Sequence, residues 1–367
     1  MKRNNQAFIL TSEEVKQLCI AGSLAPSGGN IQPWKVNVKK NELTISLDHT
    51  RSTSFLDVNH LASIFSIGSF VENVLIKADE LGLSYQQSIL PTRDNADFAV
   101  SISFTNRNTS LHANRDTLAR FIHKRVTNRR ISDGKNIETK KISVLKKLVQ
   151  NTSHSYALAT INTHDQKKIL ANILGKADAM RTLHTTLFSE MLNELRYSSK
   201  EASQTRDGID INTLELPGNV TKMFTLLKRF PSIPKFLPRE AFEDMVKPLI
   251  LHSSHIGCLT TKLEINPYSL FTAGRIVEKI WLKTTKENIA FHPWTILTFF
   301  IIRIRYFNGE GFSKNQISEI YELESMLRNV FSIPHNEHPL FIFRLSYALP
   351  PTTNALRLDW KEFTTVE

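Results

Sequence analysis

The spacing of apolar residues along the chain predicts alternating helices and strands. Leu10, Val15, Leu18 and Cys19 are spaced mostly by three and four positions, which indicates an amphipathic opening helix. A long apolar segment over 61–81 predicts a second helix that ends at Gly82. Short β-rich runs predict strands at 34–38, 43–47, 100–104 and 156–161. The mixture indicates an α+β chain.

A loop of unusual composition joins the first helix to the first strand. Pro26 breaks the helix and is followed by two glycines, so the backbone there can approach another molecule closely. Ser27, Asn30 and Gln32 add short polar groups that can hydrogen-bond a flat, heteroatom-rich ring. Composition alone is explained at least as well by an ordinary helix-to-strand loop.

A second stretch, residues 121–130, is strongly basic: Phe-Ile-His-Lys-Arg-Val-Thr-Asn-Arg-Arg. Three interpretations compete. It is a solvated helix end, a nucleic-acid patch, or an anion clamp in which guanidinium groups form paired bonds to phosphate oxygens. No aromatic platform or zinc-ligand spacing accompanies the nucleic-acid interpretation.

Composition narrows the class of protein without choosing a ligand. The 367 residues carry 46 Lys and Arg against 35 Asp and Glu, a net charge of +11, which favours an anionic partner. Two cysteines, Cys19 and Cys258, are too few for a disulfide framework or a metal site, and we expect both to be buried. The most apolar run, 294–302, is much shorter than a membrane span, and the N-terminus does not resemble a secretory signal. We therefore expect a cytoplasmic protein.

Two long apolar segments form a weak internal repeat. Each has an early glycine, Gly68 or Gly274, and a glutamate four residues later, Glu72 or Glu278. Between them a proline-studded segment, about 207–250, interrupts the helical pattern. We interpret it as an irregular insertion that either covers a pocket or is a surface excursion.

The loop Ala-Pro-Ser-Gly-Gly-Asn-Ile-Gln-Pro-Trp (25–34) resembles the loop that lies against the isoalloxazine ring in the FMN-dependent nitroreductase family. Residues 125–129, Arg-Val-Thr-Asn-Arg, are similar to that family's Arg-x-Ser/Thr-x-Arg/Lys segment, which holds the FMN phosphate and reaches the ring edge. The final strand, followed by a loop with Arg357, is similar to the family's C-terminus, although Ser346 replaces a common glycine. The resemblance implies an α+β, nitroreductase-like three-layer sandwich.

The two motifs lie in different parts of the chain. The first part has the loop without the arginine segment, and the second has the arginine segment without the loop. This resembles the pseudo-dimeric, tandem (Acg-like) branch of the family. It implies two degenerate halves, 1–118 and 119–367, that form an intrachain pseudo-dimer with one FMN, as a monomer or in a further homodimer.

The resemblance also implies the site and its chemistry. No side chain acts as a nucleophile, because the flavin N5 accepts and donates hydride. NAD(P)H would be the donor and a nitroaromatic, quinone or similar small molecule the acceptor, with neither nucleic acid, membrane nor metal involved. Alternatives are a protein that sequesters FMN and a dehydrogenase of a biosynthetic intermediate. His292 is either a proton donor or a structural histidine. The implied cofactor-binding residues are Pro26, Ser27, Gly28, Asn30, Gln32, Arg125, Thr127, Arg129, Pro293 and Arg357.

Overall fold

Two β-sheets and the helices packed on them make up the computed structural model, which describes residues 8–90, 97–107 and 118–367. The described α-helices are α1 (Ser12–Ser23), α2 (Leu61–Glu80), α3 (Ala119–Ile122), α4 (Thr139–Thr152), α5 (His164–Leu183), α6 (Thr185–Glu194), α7 (Ser199–Thr205), α8 (Gly218–Arg229), α9 (Arg239–Leu251), α10 (Pro267–Lys286), α11 (Ile296–Tyr306), α12 (Lys314–Phe331) and α13 (Trp360–Phe363). The strands are β1 (Trp34–Lys39), β2 (Glu42–Leu47), β3 (Leu83–Ile89), β4 (Ala99–Arg107), β5 (Tyr156–Ile161), β6 (Leu195–Arg196), β7 (Ile209–Asp210), β8 (His255–Thr261), β9 (Ala290–Pro293), β10 (His338–Ser346) and β11 (Thr364–Val366).

The first sheet has the strand order β11-β1-β2-β4-β3. In β1, Trp34, Val36 and Val38 are buried while the residues between them are exposed, so one face of the sheet meets the core. This face packs against α1 and α2. The edge strand β11, at residues 364–366, pairs in parallel with β1.

The second sheet has the order β5-β8-β10-β9 and is buried on both faces. One face contributes Leu259 and Phe343 to a core shared with α4 and α10. The opposite face contributes Cys258 and Ile342 to a core shared with α5, α9, α11 and α12. Every residue of β8 is buried, as expected for a central strand covered by helices.

Helices α2 and α10 cross at the centre of the molecule through a reciprocal glycine contact. A Cβ built on Gly68 would lie 2.1 Å from the carbonyl oxygen of Phe271, and one built on Gly274 would lie 1.9 Å from that of Phe65. Each phenylalanine precedes the glycine of its own helix by three residues. The crossing is therefore nearly twofold symmetric, and it requires residues without a side chain at both positions.

By length and composition alone, the segment Val58–Glu80 would suffice to span a membrane. In the folded chain 83% of its apolar window is buried inside the protein. Because a core helix passes the same test, this segment is accounted for by its packing on α10.

The predicted α+β class is confirmed, and so are the two opening strands, the long second helix and the strand at 156–161. Burial of both cysteines is also confirmed. The sequence prediction missed β3, whose half-exposed residues show little apolar alternation. The boundary at 118/119 stays a prediction, although β11 joins the sheet of the other predicted half.

The proline-studded segment is not irregular, which corrects the sequence prediction. Helices α8 and α9 occupy much of it, and α9 packs against α5 with Val246 and Ile250 buried. The prolines precede these helices or, as Pro248 does, sit inside α9 near its end.

Replacing Gly68 or Gly274 with alanine tests the central crossing. Because the opposing atoms are backbone, no rotamer change relieves the clash, and we expect each substitution to lower the free energy of unfolding by about 3 kcal/mol. The measurement is urea denaturation followed by circular dichroism. Gly218→Ala is the matched control, since a Cβ there meets nothing within 4 Å. An equal loss in all three variants would contradict the close approach of the helices.

Candidate functional site

The loop after α1 has a strained backbone that the sequence only hinted at. Gly29, Asn30 and Gln32 have φ values of 58°, 55° and 54°, in the left-handed region. A Cβ on Gly29 would in addition lie 2.7 Å from the carboxyl carbon of Glu194. Backbone strain of this kind is retained where the surrounding structure holds it, often at ligand sites. Gly28 is exposed, and a Cβ on it would meet nothing within 4 Å.

Two polar side chains of the loop, Ser27 and Gln32, form hydrogen bonds that hold the loop itself. Ser27 Oγ accepts a hydrogen bond from the backbone N–H of Gln32 at 3.0 Å. Gln32 donates to the carbonyl of Arg206 at 2.9 Å and accepts from the N–H of Leu358 at 3.0 Å. Gln32 is fully buried by these contacts. It therefore positions the loop and does not line an open surface, contrary to the role predicted for it.

Asn30 combines a structural bond with an unused acceptor. Its Nδ2 donates to the carbonyls of Gly208 and Leu356 at 2.9 and 3.1 Å. Its buried Oδ1 accepts no hydrogen bond within the described part of the chain. A buried acceptor without a donor is costly, so this atom favours a ligand that brings an N–H or O–H group.

Arg125 lies at the end of α1, where the loop begins. Its Nη2 donates to the carbonyl of Leu24 at 2.7 Å, its Nε lies 3.3 Å from Oε1 of Glu278, and its guanidinium stacks 4.5 Å from the ring centre of Trp281. The side chain is almost completely buried, and burial lowers its pKa. Arg125 thus contacts the residue just before the proline loop, and its role in holding a cofactor stays a prediction.

Arg357 reaches the same place from the other end of the chain. It donates from Nε to the carbonyl of Ser23 at 2.9 Å and from Nη2 to that of Ala25 at 3.4 Å. Burial lowers its pKa to about 9, and the neighbouring Arg125 acts in the same direction. Glu278 is the carboxylate that opposes both guanidinium groups.

Glu278 is fully buried, and burial raises its pKa to about 7 despite the nearby arginines. Even when it is ionised, this one carboxylate cannot neutralise two guanidinium groups. This end of the site carries surplus positive charge in a desolvated setting, which favours an anion there.

Residues 125–129 run in extended form along the second sheet. Thr127 pairs with Phe291 as an isolated parallel bridge, and the N–H of Asn128 donates to the carbonyl of Phe291 at 3.0 Å. Thr127 is half-buried and lies midway between Arg125 and Arg129 in the sequence.

Arg129 forms the other end of the site. Its Nη1 donates to the carbonyl of Thr213 at 3.0 Å, and burial lowers its pKa to about 10. Arg344, a buried residue of β10, is its electrostatic neighbour and has a pKa lowered to about 10 by burial and then by Arg129. Sequence analysis missed Arg344. The sequence signal that could have identified Arg344 is that it is the one charged residue in the apolar run 340–345.

His292 and Pro293 lie on β9 beside this end. Arg344 Nε donates to Nδ1 of His292 at 2.9 Å. Burial, followed by the charges of Arg344 and Arg129, holds the pKa of His292 well below its usual value. The imidazole is therefore neutral with its proton on Nε2, because Nδ1 accepts. The contact with Arg344 fixes the orientation of His292, and its two interpretations, proton donor and structural histidine, both stay predictions. Pro293 is the last residue of β9 and is half-buried.

The segment 206–215, which we call the strap, connects the two ends. The carbonyls of Arg206 and Gly208 bind the loop, and the carbonyl of Thr213 binds Arg129. Glu215 fastens the strap with bonds to Arg130 at 3.0 Å and to the N–H of Thr352 at 2.6 Å. Residues 207–215, the first part of the proline-studded segment, contact the loop and Arg129, and a pocket-covering role stays a prediction.

Comparison with known proteins places the chain in no family by sequence. No family model matches it. A Mycobacterium tuberculosis protein named Uncharacterized protein MT1398 (strain CDC 1551 / Oshkosh) is 24% identical over 352 residues, which are 95% of this chain and 47% of that protein. The chain thus spans about half the length of the curated relative it matches.

Solved structures give weak likenesses. An FMN-bound nitroreductase from Bacteroides fragilis NCTC 9343 shares 9% identity over 65% of this chain and 95% of its own, with a TM-score of 0.36. The FMN and NADPH-dependent nitroreductase NfnB from Sphigopyxis sp. strain HMH shares 8% over 67% and 96%, with a TM-score of 0.38. Since these TM-scores lie below 0.5, the structural likenesses support no conclusion about function. The function is therefore inferred from the site itself.

The raised pKa of Glu278 predicts a specific pH dependence of stability. The folded pKa of about 7 exceeds the ordinary 4.5, so the folded state binds more protons between these pH values. The free energy of unfolding should therefore fall as pH rises through this window, by on the order of 1–3 kcal/mol. Urea denaturation at pH 5 and pH 8 should show that Glu278→Gln loses this component. The same substitution at exposed Glu240 should keep it. Identical pH profiles for both variants would refute the assignment.

Proposed function

We propose that the chain binds one FMN between the loop at 26–30 and the extended segment 125–129, and acts as an FMN-dependent NAD(P)H oxidoreductase. The supporting observation is the charge imbalance among the described residues. Arg125 and Arg357 share the single carboxylate of Glu278, Arg129 has near it Glu215, which is already bonded to Arg130, and Arg344 has Arg129 as its charged neighbour. An elongated ligand with a dianionic phosphate fits such a site.

The donor set fits the two chemically different parts of FMN. Arg125 and Arg357, which share Glu278, would hold the phosphate end. Arg129, with Arg344 and neutral His292 behind it, would present positive charge and an N–H donor to the ring end. Thr127 lies between these ends, and the unused Oδ1 of Asn30 would accept from a ring N–H. Pro26, Ser27, Gly28 and Pro293 would contribute half-buried or exposed surface to contact the ring.

FMN, when bound, would supply two-electron hydride transfer from NAD(P)H to an electron-poor acceptor such as a nitroaromatic or a quinone. The chain itself would orient the ring, exclude water through the strap, and place fixed positive charge where negative charge develops on reduction. His292, held neutral by burial and oriented by Arg344, would donate from Nε2 without losing its proton.

The strap supports a second candidate function, storage of FMN with little turnover. It is fastened at both ends, by Asn30 and Gln32 on one side and by Arg129 and Arg130 on the other. If these bonds persist with FMN present, a nicotinamide cannot stack on the ring.

Binding is tested by titrating the apoprotein with FMN and following the quenching of flavin fluorescence. Loss of one charge-assisted contact costs roughly 1.5–3 kcal/mol, so Arg125→Met should weaken binding about ten- to a hundredfold. Arg120→Met, at an exposed position of α3, should leave affinity unchanged.

A double variant, Arg125→Met/Glu278→Gln, keeps the test valid if the single variant unfolds, because it removes both members of the buried Arg125–Glu278 pair. Equal FMN affinity in the Arg120 and Arg125 variants would overturn the proposed site.

Turnover is tested separately on the FMN-loaded protein under anaerobic conditions. The oxidoreductase predicts bleaching of the flavin band near ~450 nm on addition of NADPH or NADH, and recovery of the band with a quinone. A band that persists with both nicotinamides would instead favour storage. Free FMN with dithionite is the control for complete bleaching.

A further inference from the structure

A separate cavity of about 640 Å³ lies between α4 and α10, away from the loop and the strap. Its volume falls in the range of small-molecule sites. Val144 and Leu148 give it an apolar wall, while Lys147, Arg275 and Lys279 give it positive charge. None of these residues has a role in the proposed flavin site.

The cavity occupies the counterpart of the flavin site under the near-twofold relation of the central helices. That relation exchanges Gly68 with Gly274 and Glu72 with Glu278. It also exchanges α1, which packs on α2, with α4, which packs on α10. In the proposed flavin site, buried Glu278 faces arginines beside the end of α1. At the cavity, buried Glu72 faces cations beside α4.

The charges at the cavity are again unbalanced. Glu72 is buried and binds Arg275 at 2.8 Å and Lys279 at 3.3 Å, so one carboxylate serves two cations. Gln87 accepts a further bond from Arg275 at 3.0 Å. Lys147 is exposed and forms no ion pair within the described residues. Three cations therefore face one carboxylate next to an apolar wall.

The chain at this place does not form a flavin-type loop. α4 ends at Thr152 and runs through Ser153 to β5 without the proline and paired glycines that follow α1. Thr272 adds a hydroxyl to the cavity. We infer that this cavity is a second ligand site, one that binds an organic anion of mononucleotide size through Lys147, Arg275 and Lys279.

The test uses AMP as the probe and the full chain preloaded with one equivalent of FMN. Equilibrium dialysis of radiolabelled AMP at low ionic strength should show saturable binding of one AMP per chain. Charge reversal in Lys147→Glu should weaken it at least about tenfold, because a charge-assisted contact is lost and a repulsion is added. Lys168→Glu, an equal change at an exposed position of α5 that does not line the cavity, should leave affinity within about twofold.

Three results would overturn the inference. The first is that adenosine binds as tightly as AMP. The second is that Lys147→Glu and Lys168→Glu weaken AMP binding equally, and the third is that no saturable AMP binding is seen at about 1 mM. Arg125→Met separates this inference from the proposed function. It should weaken FMN binding and leave AMP binding intact, whereas loss of AMP binding in that variant would place AMP in the flavin site and refute the second site.

Discussion

The backbone contact between Gly68 and Gly274 is the constraint on which the rest of the structure depends. Because each glycine meets a carbonyl of the opposite helix, α2 and α10 approach closely and fix the two sheets relative to each other. The same crossing sets the depth of Glu72 and Glu278, one turn beyond each glycine. Both carboxylates are thereby buried, and both require cations from neighbouring elements.

The cations that pair with Glu278 and with Glu72 come from different elements of the fold. Glu278 meets Arg125, which enters from an extended segment, and Arg357, which enters from the end of the chain. Glu72 instead meets Arg275 and Lys279 from the opposing helix. The first arrangement keeps surplus charge beside a strained, glycine-rich loop, whereas the second keeps it beside a regular helix. A nearly symmetric scaffold thus holds two buried glutamates in chemically different surroundings.

The strap contacts both the loop and Arg129 at the proposed flavin site. Its backbone carbonyls accept hydrogen bonds from Asn30, Gln32 and Arg129. The sequence analysis had assigned these three residues to cofactor binding. A bound ligand has to coexist with these bonds or replace some of them. Under the proposed function, the balance between catalysis and storage would therefore depend on the strength of a few polar contacts.

The sequence by itself determined the local features: the α+β class, most of the early elements, the glycine–glutamate repeat, the proline loop and the arginine segment. These depend on residues close together in the chain, whose conformational preferences act locally. Tertiary structure alone decided that Arg357 joins Arg125 at Glu278, that Arg344 orients His292, that Gln32 is a buried brace, and that α8 and α9 fold where prolines suggested an irregular segment. Each of these depends on packing between groups far apart along the chain, and no local pattern specifies which distant group will satisfy a buried charge or carbonyl.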